Sequence, residues 1–473
     1  MTHSVSMKTG TLAIALWVAC APAFAKAPRD DAPVTAFVGV TVIAAYDDAP
    51  RENQTLLVRG DRIIALGPAS QVRVPRDARR LGRRGQILAP GLADMHVHIF
   101  EPNDGVLFLA NGVTTVRNMA GRPDTDALAA RIDSGESPGP FIYSSGPIID
   151  GPRESTTLDV ADEIRRRVEA TADHHYIAAK LYENLAPDIF AGAVAMARQR
   201  GLQVYAHVPL SMSVREVLAL HIDSIEHLTG FDRTLAPRSS SSWDQERWTE
   251  VDASLIAPFA QEVAASGVWN TATFVTWLAA ERGCADIDAA ERAPLYRYAT
   301  PRLRQHWRDV CAQLGHEHEP ARAWALAKRG HASRLEVVRA LHDAGAGLLI
   351  GTDATQPFLY PGFSLHDELA FHRDAGLPVR DILRIATADA AQFLHQEREF
   401  GTIVPGARAD LLLLDRNPDA QLETLQSPAG VMAAGRWYDA AALRRMLDEV
   451  AAHIASMTKP DPTATASAAS SRP

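Results

Sequence analysis

"PGLADMHVHIF" (residues 90–100) decides the fold: a Pro-Gly turn opens an apolar run, and His96 and His98 close it one residue apart. Along a strand, residues i and i+2 point to the same side, so both imidazoles would face one way and could share an ion. The spacing alone is cheap. "GHEHEP" (315–320) repeats it in a setting that reads as solvated loop. What matters is whether other strands end in further ligands.

Seven further apolar runs follow, separated by amphipathic helical stretches. They are "GVTTVRN" (112–118), "PFIYSSG" (140–146), "YIAAKLY" (176–182), "LQVYAHV" (202–208), "IDSIEHL" (222–228), "GVWNTATF" (267–274) and "AGLLIGTD" (346–353). Such alternation implies a parallel sheet, and eight units imply an α/β protein with a (β/α)8 TIM barrel over 90–399. The stretch 275–345 is longer than one crossover helix requires and predicts a helical insertion. Residues 34–89 read as short strands with a hairpin turn at Gly60-Asp61, and a second β segment covers 400–440. Neither piece makes a stable sheet alone, so the two are expected to pair into a small composite β-sandwich.

With 473 residues and 47% hydrophobic content the chain can bury one large core or two ordinary ones. The 48 basic and 57 acidic residues leave a formal charge of -9 without a basic block, which argues against nucleic acid and anionic membrane surfaces. A small-molecule ligand and assembly into a homo-oligomer are both compatible with this composition. Lys8, the apolar "TLAIALWVACAPAFA" and the small-x-small Ala23-Phe24-Ala25 predict a signal peptide over 1–25, too short to span a bilayer, and hence a periplasmic or secreted protein. Lipidation at Cys20 fits less well, because Trp17 stands three residues before the cysteine. After cleavage Cys284 and Cys311 are the remaining cysteines, a disulfide candidate in an oxidising compartment. The last fifteen residues, 459–473, lack apolar periodicity and are expected to be disordered.

In a parallel barrel the carboxyl ends of the strands converge on one mouth. Here those ends carry His96 and His98, Lys180, His207, His227 and Asp353. Imidazoles and a carboxylate suit zinc and its neighbours. Lys180, flanked by Ala179 and Leu181, is costly to keep charged there, so burial and cationic neighbours should depress its pKa. A neutral amine can take up carbon dioxide and become a carbamate, an anionic ligand able to bridge two ions.

At these residues the chain resembles the amidohydrolase superfamily, in its imidazolonepropionase-like and Xaa-Pro dipeptidase-like branch. The motifs "PGLADMHVH", "NGVTTVRNMAG", "AAKLYENL", "YAHVP", "DSIEHLTG", "LLIGTDA" and "FGTIVPGARADLLLLDRNP" carry the likeness over nearly the whole mature chain. The resemblance implies that His96, His98 and Asp353 hold one divalent metal ion, His207 and His227 a second, and that a carbamate on Lys180 bridges them. A hydroxide shared by the two ions, most simply zinc, would then attack a carbonyl, with Asp353 relaying its proton to the leaving amine. The reaction expected is hydrolysis of a C-N bond, amide or peptide-like, in a small substrate.

Departures from the dipeptidase pattern, "KLYENL" after the bridging lysine and "HVPLS" after the strand-five histidine, leave the substrate open. Tyr182, in phase with Lys180, could donate to a carbonyl oxygen or pack on the rim. His366, after Ser364 and Asp367 set a capping-box spacing, is a candidate substrate contact, and Arg117 could meet a carboxylate or brace the barrel. Three rivals stand beside this reading. A lactonase or phosphotriesterase would use the same centre. A mononuclear deaminase would need a glutamate soon after His207, where none stands, and a non-catalytic binding protein would have lost a ligand.

Overall fold

A computed structural model describes residues 32–152, 157–317 and 319–457. The expected signal peptide, Cys20 and the tail 459–473 lie outside these residues. Sixteen strands are present among the described residues. The terminal segments supply β1 (Val34–Val42), β2 (Arg51–Arg59), β3 (Arg62–Pro68), β4 (Arg79–Leu81) and β5 (Ile87–Pro90) from one end of the chain. From the other come β14 (Leu411–Leu414), β15 (Gly430–Ala433) and β16 (Arg436–Asp439).

These strands form one path, β16-β15-β14-β5-β1-β2-β3, with β4 beside β1. Four strand spacings separate β16 from β1, about 19 Å in a flat sheet, yet the Phe37 and Trp437 rings meet at 5.4 Å. The sheet must therefore fold over its own core of Val40, Leu56, Val58, Leu411 and Met432, which makes it a sandwich. An antiparallel bridge from Arg62 to Arg408 draws the β3 edge back toward β14. Where the two hairpin turns meet, Gly435 has φ +77 and a Cβ there would lie 1.8 Å from the Gly60 carbonyl oxygen, so only glycine fits.

The eight inner strands run in order around a barrel: β6 (Leu92–Val97), β7 (Val113–Asn118), β8 (Phe141–Ser144), β9 (Ala178–Leu181), β10 (Gln203–Ala206), β11 (Ser224–Glu226), β12 (Trp269–Thr271) and β13 (Leu348–Leu349). All adjacent pairs are parallel, in a three-stranded sheet β6-β7-β8 and a five-stranded sheet β9 to β13. Isolated parallel bridges join the two sheets at both seams, Ile149 to Leu181 and Val97 to Ala354, in place of continuous ladders. Covered by helices outside and side chains inside, β6, β7 and β9 are buried at every position, which is why they read as unbroken apolar runs.

β13 is far shorter than the run 346–353 suggests. The cause is local: Asp94 accepts from the Thr352 amide at 3.0 Å and from its hydroxyl at 2.7 Å, and the Asp353 amide donates to the His96 carbonyl at 2.6 Å. These bonds pull the chain off the ladder and across the mouth.

The insertion comprises helices Phe274–Ala285, Ile287–Arg292, Pro301–Glu317 and Pro320–Asp343 with a short 3-10 turn. Trp307 and Tyr296 of the insertion join Phe358 and Tyr360 from beyond β13 in a separate core. Cys284 and Cys311 are joined across it as a disulfide, with Cα atoms 5.0 Å apart and a sequence separation of 27. A loop of this length implies a contribution of about 3 to 4 kcal/mol by chain entropy. Reduction is expected to lower the thermal midpoint, and an unchanged melting curve with both thiols free would contradict it. No helix among the described residues is long and apolar enough to cross a membrane.

Candidate metal centre

The barrel brings six of the expected site residues to one mouth. Lys180 lies within β9, whereas His98, His207 and His227 stand one residue beyond their strands and Asp353 four beyond β13. The backbone leaves the extended conformation at these points: His227 and Asp353 both have φ +60, and Thr273, after β12, has φ +46. Non-glycine residues pay for such angles, and they concentrate where a side chain must be aimed.

The His96 and His227 rings are 4.4 Å apart, and those of His207 and His227 4.8 Å. His98 Nε2 approaches Asp353 Oδ1 to 3.0 Å and His96 Nε2 approaches it to 3.5 Å, yet Asp353 Oδ1 has no hydrogen-bond partner among the described residues. His96 Nε2, His98 Nδ1, Lys180 Nζ and both His207 ring nitrogens are likewise buried without a hydrogen-bond partner among the described residues. Stranding so many polar atoms is costly unless something else satisfies them. Ligand atoms of His96, His227 and Asp353 lie within 4.8 Å of one another, a spacing that could hold one ion. That triplet differs from the expected grouping of His96, His98 and Asp353 about one ion and of His207 and His227 about another.

Electrostatics prepares the same groups. Burial holds His96, His207 and His227 well below the usual imidazole range, and cationic neighbours, Lys180 among them, add to the effect. All three are therefore neutral at neutral pH, the form that ligates metal. Burial also brings the Lys180 amine down to about 8, against the pull of Glu226 and Asp353 and with the help of Arg117.

A profile of the amidohydrolase family matches residues 87–438. The chain belongs to the amidohydrolase family. Like other amidohydrolases it is a hydrolase of carbon–nitrogen bonds. A solved bottromycin amidohydrolase is 27% identical, with a TM-score of 0.70 over 90% of this chain and 91% of that one. The fold alone is shared with two more distant structures. One is a Xaa-Pro dipeptidase with methionine bound in its active site (17% identical, TM-score 0.63, 86% of this chain and 100% of that one). The other is ochratoxinase from A. niger (19%, TM-score 0.59, 87% and 96%). No curated protein matches the chain.

Around the six residues this amidohydrolase has a supporting shell that sequence reasoning missed. Glu226, fully buried on β11, accepts from His96 Nδ1 at 2.6 Å and takes two contacts of 3.0 Å from Arg117 Nη2. Burial alone would raise its carboxyl, but Arg117, Lys180, Ser224 and His227 outweigh that and hold it below the usual glutamate range. With Nδ1 engaged, His96 presents Nε2 to the mouth. His227 is fixed the same way, Nδ1 lying 2.7 Å from Thr273 Oγ1. The signal for Glu226 was present in "DSIEHL": a glutamate inside an apolar strand is as anomalous as Lys180, since such groups are buried only when paired. Arg117 braces the barrel floor, donating also to the Met95 carbonyl at 2.5 Å and to Ser224 Oγ at 3.1 Å.

Tyr182 does reach the mouth, its ring tilted against that of His207 with centroids 3.9 Å apart, and burial raises its phenol so that it stays protonated. His366 is not brought there. Its buried imidazole faces the Asn111 backbone and a small recess formed with Leu369, Leu422 and Gln426. Its helix, Phe363–Asp374, starts from Gly362, and Ser364 Oγ instead accepts from the Tyr360 amide at 2.9 Å, so no capping box forms. Starting the helix there turns position 366 inward, away from the mouth.

Proposed function

We propose that this amidohydrolase cleaves an amide or peptide-like bond in a small substrate at a centre of two divalent ions, most simply zinc, held by His96, His98, His207, His227, Asp353 and a carbamate on Lys180. The observation that carries the reading is the convergence on one mouth of buried imidazole, amine and carboxylate atoms without hydrogen-bond partners among the described residues. When bound, the ions would supply an acidified water and polarise the scissile carbonyl.

The chain's own groups account for the rest. Lys180, lowered to about 8 by burial, has a neutral amine available near neutral pH. Its nitrogen adds to the carbon of carbon dioxide and releases one proton, leaving a carboxylate at the end of the side chain. The Asp353 carboxylate takes a proton from the attacking water and returns it to the nitrogen of the broken C-N bond, so the amine leaves neutral. Tyr182, protonated and packed against His207, is placed to donate to the carbonyl oxygen. The Cys284–Cys311 disulfide is compatible with an exported, periplasmic or secreted chain processed near Ala25.

Metal analysis of the purified mature protein is expected to find about two zinc-like ions per chain, with His227→Ala lowering metal content and amide hydrolysis together. A wild type that holds a single ion when metal is plentiful would instead support a mononuclear deaminase. Hydrolysis of lactones or phosphotriesters in preference to N-acyl amino acids and dipeptides would reassign the substrate.

A further inference from the structure

Thr273 is the N-cap residue of the helix Phe274–Ala285, yet its side chain makes no capping hydrogen bond. A threonine at this position ordinarily accepts from an amide of its own first turn. Here the hydroxyl is diverted to His227 Nδ1. The cap comes from another helix: Glu368 Oε2 accepts from the Val275 amide at 2.9 Å. Glu368 is wholly buried on Phe363–Asp374, and its other oxygen has no hydrogen-bond partner among the described residues, with His372 Nδ1 3.6 Å away. Burial raises its carboxyl to about 8, so at neutral pH it is largely a neutral acid, which glutamine imitates.

The same turn is tied to the other side of the centre, because Thr276 Oγ1 donates to the Thr352 carbonyl at 2.9 Å, next to Asp353. We infer that Glu368 is a positioning residue for the metal centre: by capping this helix in place of Thr273 it leaves the threonine hydroxyl free to fix His227, and it holds the turn that anchors the Asp353 segment. The inference rests on the metal-centre reading above. Glu368 itself touches neither ligand. It acts through Thr273, whose left-handed backbone depends on the helix start being held.

The test is zinc affinity, measured by competition with a chelator on the full chain, for wild type, Glu368→Ala, Glu368→Gln, Thr273→Val and the double variant Glu368→Ala/Thr273→Val. Glu368→Ala and Thr273→Val are each expected to weaken zinc binding about 10- to 100-fold, as loss of an outer partner of a ligand histidine does. Glu368→Gln should keep wild-type affinity. The double variant should be little worse than Glu368→Ala alone, since the Thr273 contact to His227 is already lost there. Wild-type affinity in Glu368→Ala, or fully additive losses, would overturn the inference. Should Glu368→Ala fail to fold, a weakened Glu368→Gln or an unaffected Thr273→Val overturns it equally. A wild type that holds no zinc would bring down the metal-centre reading and this inference with it.

Discussion

Lys180→Arg is expected to lose both metal and turnover, with kcat/KM falling by at least about 100-fold, the upper end of what loss of a mere outer-shell partner costs. A guanidinium stays protonated and cannot react with carbon dioxide, whereas the buried amine of Lys180 is lowered to about 8. Lys180→Ala should fail as well, but a short carboxylic acid in solution should restore part of its activity by placing an anion where the carbamate would lie. The position is suited to such an anion: Lys180 Nζ is buried without a hydrogen-bond partner among the described residues, near three neutral imidazoles. Metal content and steady-state kinetics of the two variants, with and without acetate, decide the matter. Full activity in Lys180→Arg would reduce Lys180 to a brace and remove the bridging role.

Glu226→Ala is expected to be the most destabilising single change near the site. It leaves the Arg117 guanidinium buried without its carboxylate, and breaking a buried pair by removing one partner costs about 3 to 5 kcal/mol. Neither side chain is exposed to solvent, so screening does not soften the loss. The variant also frees His96 Nδ1, so zinc affinity should fall by a further 10- to 100-fold or so. Urea unfolding of the metal-free protein isolates the first effect, and chelator competition on folded protein reads the second. A stability change under about 1 kcal/mol, the size of an exposed pair, would show that Arg117 finds another partner.

The candidate ligand set was legible because each residue is an anomaly in its own stretch: a histidine, lysine or aspartate ending an apolar run is conspicuous against the alternation of strands and helices. The disulfide partners were legible by subtraction, two cysteines remaining after the expected leader. Glu226 carried the same kind of signal and went unread, since its partner Arg117 stands 109 residues away. His366 was misjudged for a related reason. Its place after the last strand suggested the mouth, but the face it presents depends on where its helix begins, and Gly362 starts that helix rather than a Ser364 capping box.

The sequence by itself determined the period of the elements, the number of strand and helix units, and which chemical groups stand at strand ends, because these follow from local hydrophobic spacing and turn residues. Only the tertiary structure decided how those groups are aimed. The tautomers of His96 and His227 depend on Glu226 and Thr273, brought in from other strands. The shortness of β13 depends on Asp94 reaching across from β6. The start of the helix after Thr273 depends on a buried carboxyl group 93 residues beyond Val275. Each is a contact between segments distant in sequence, whose energy comes from burial that no local pattern records.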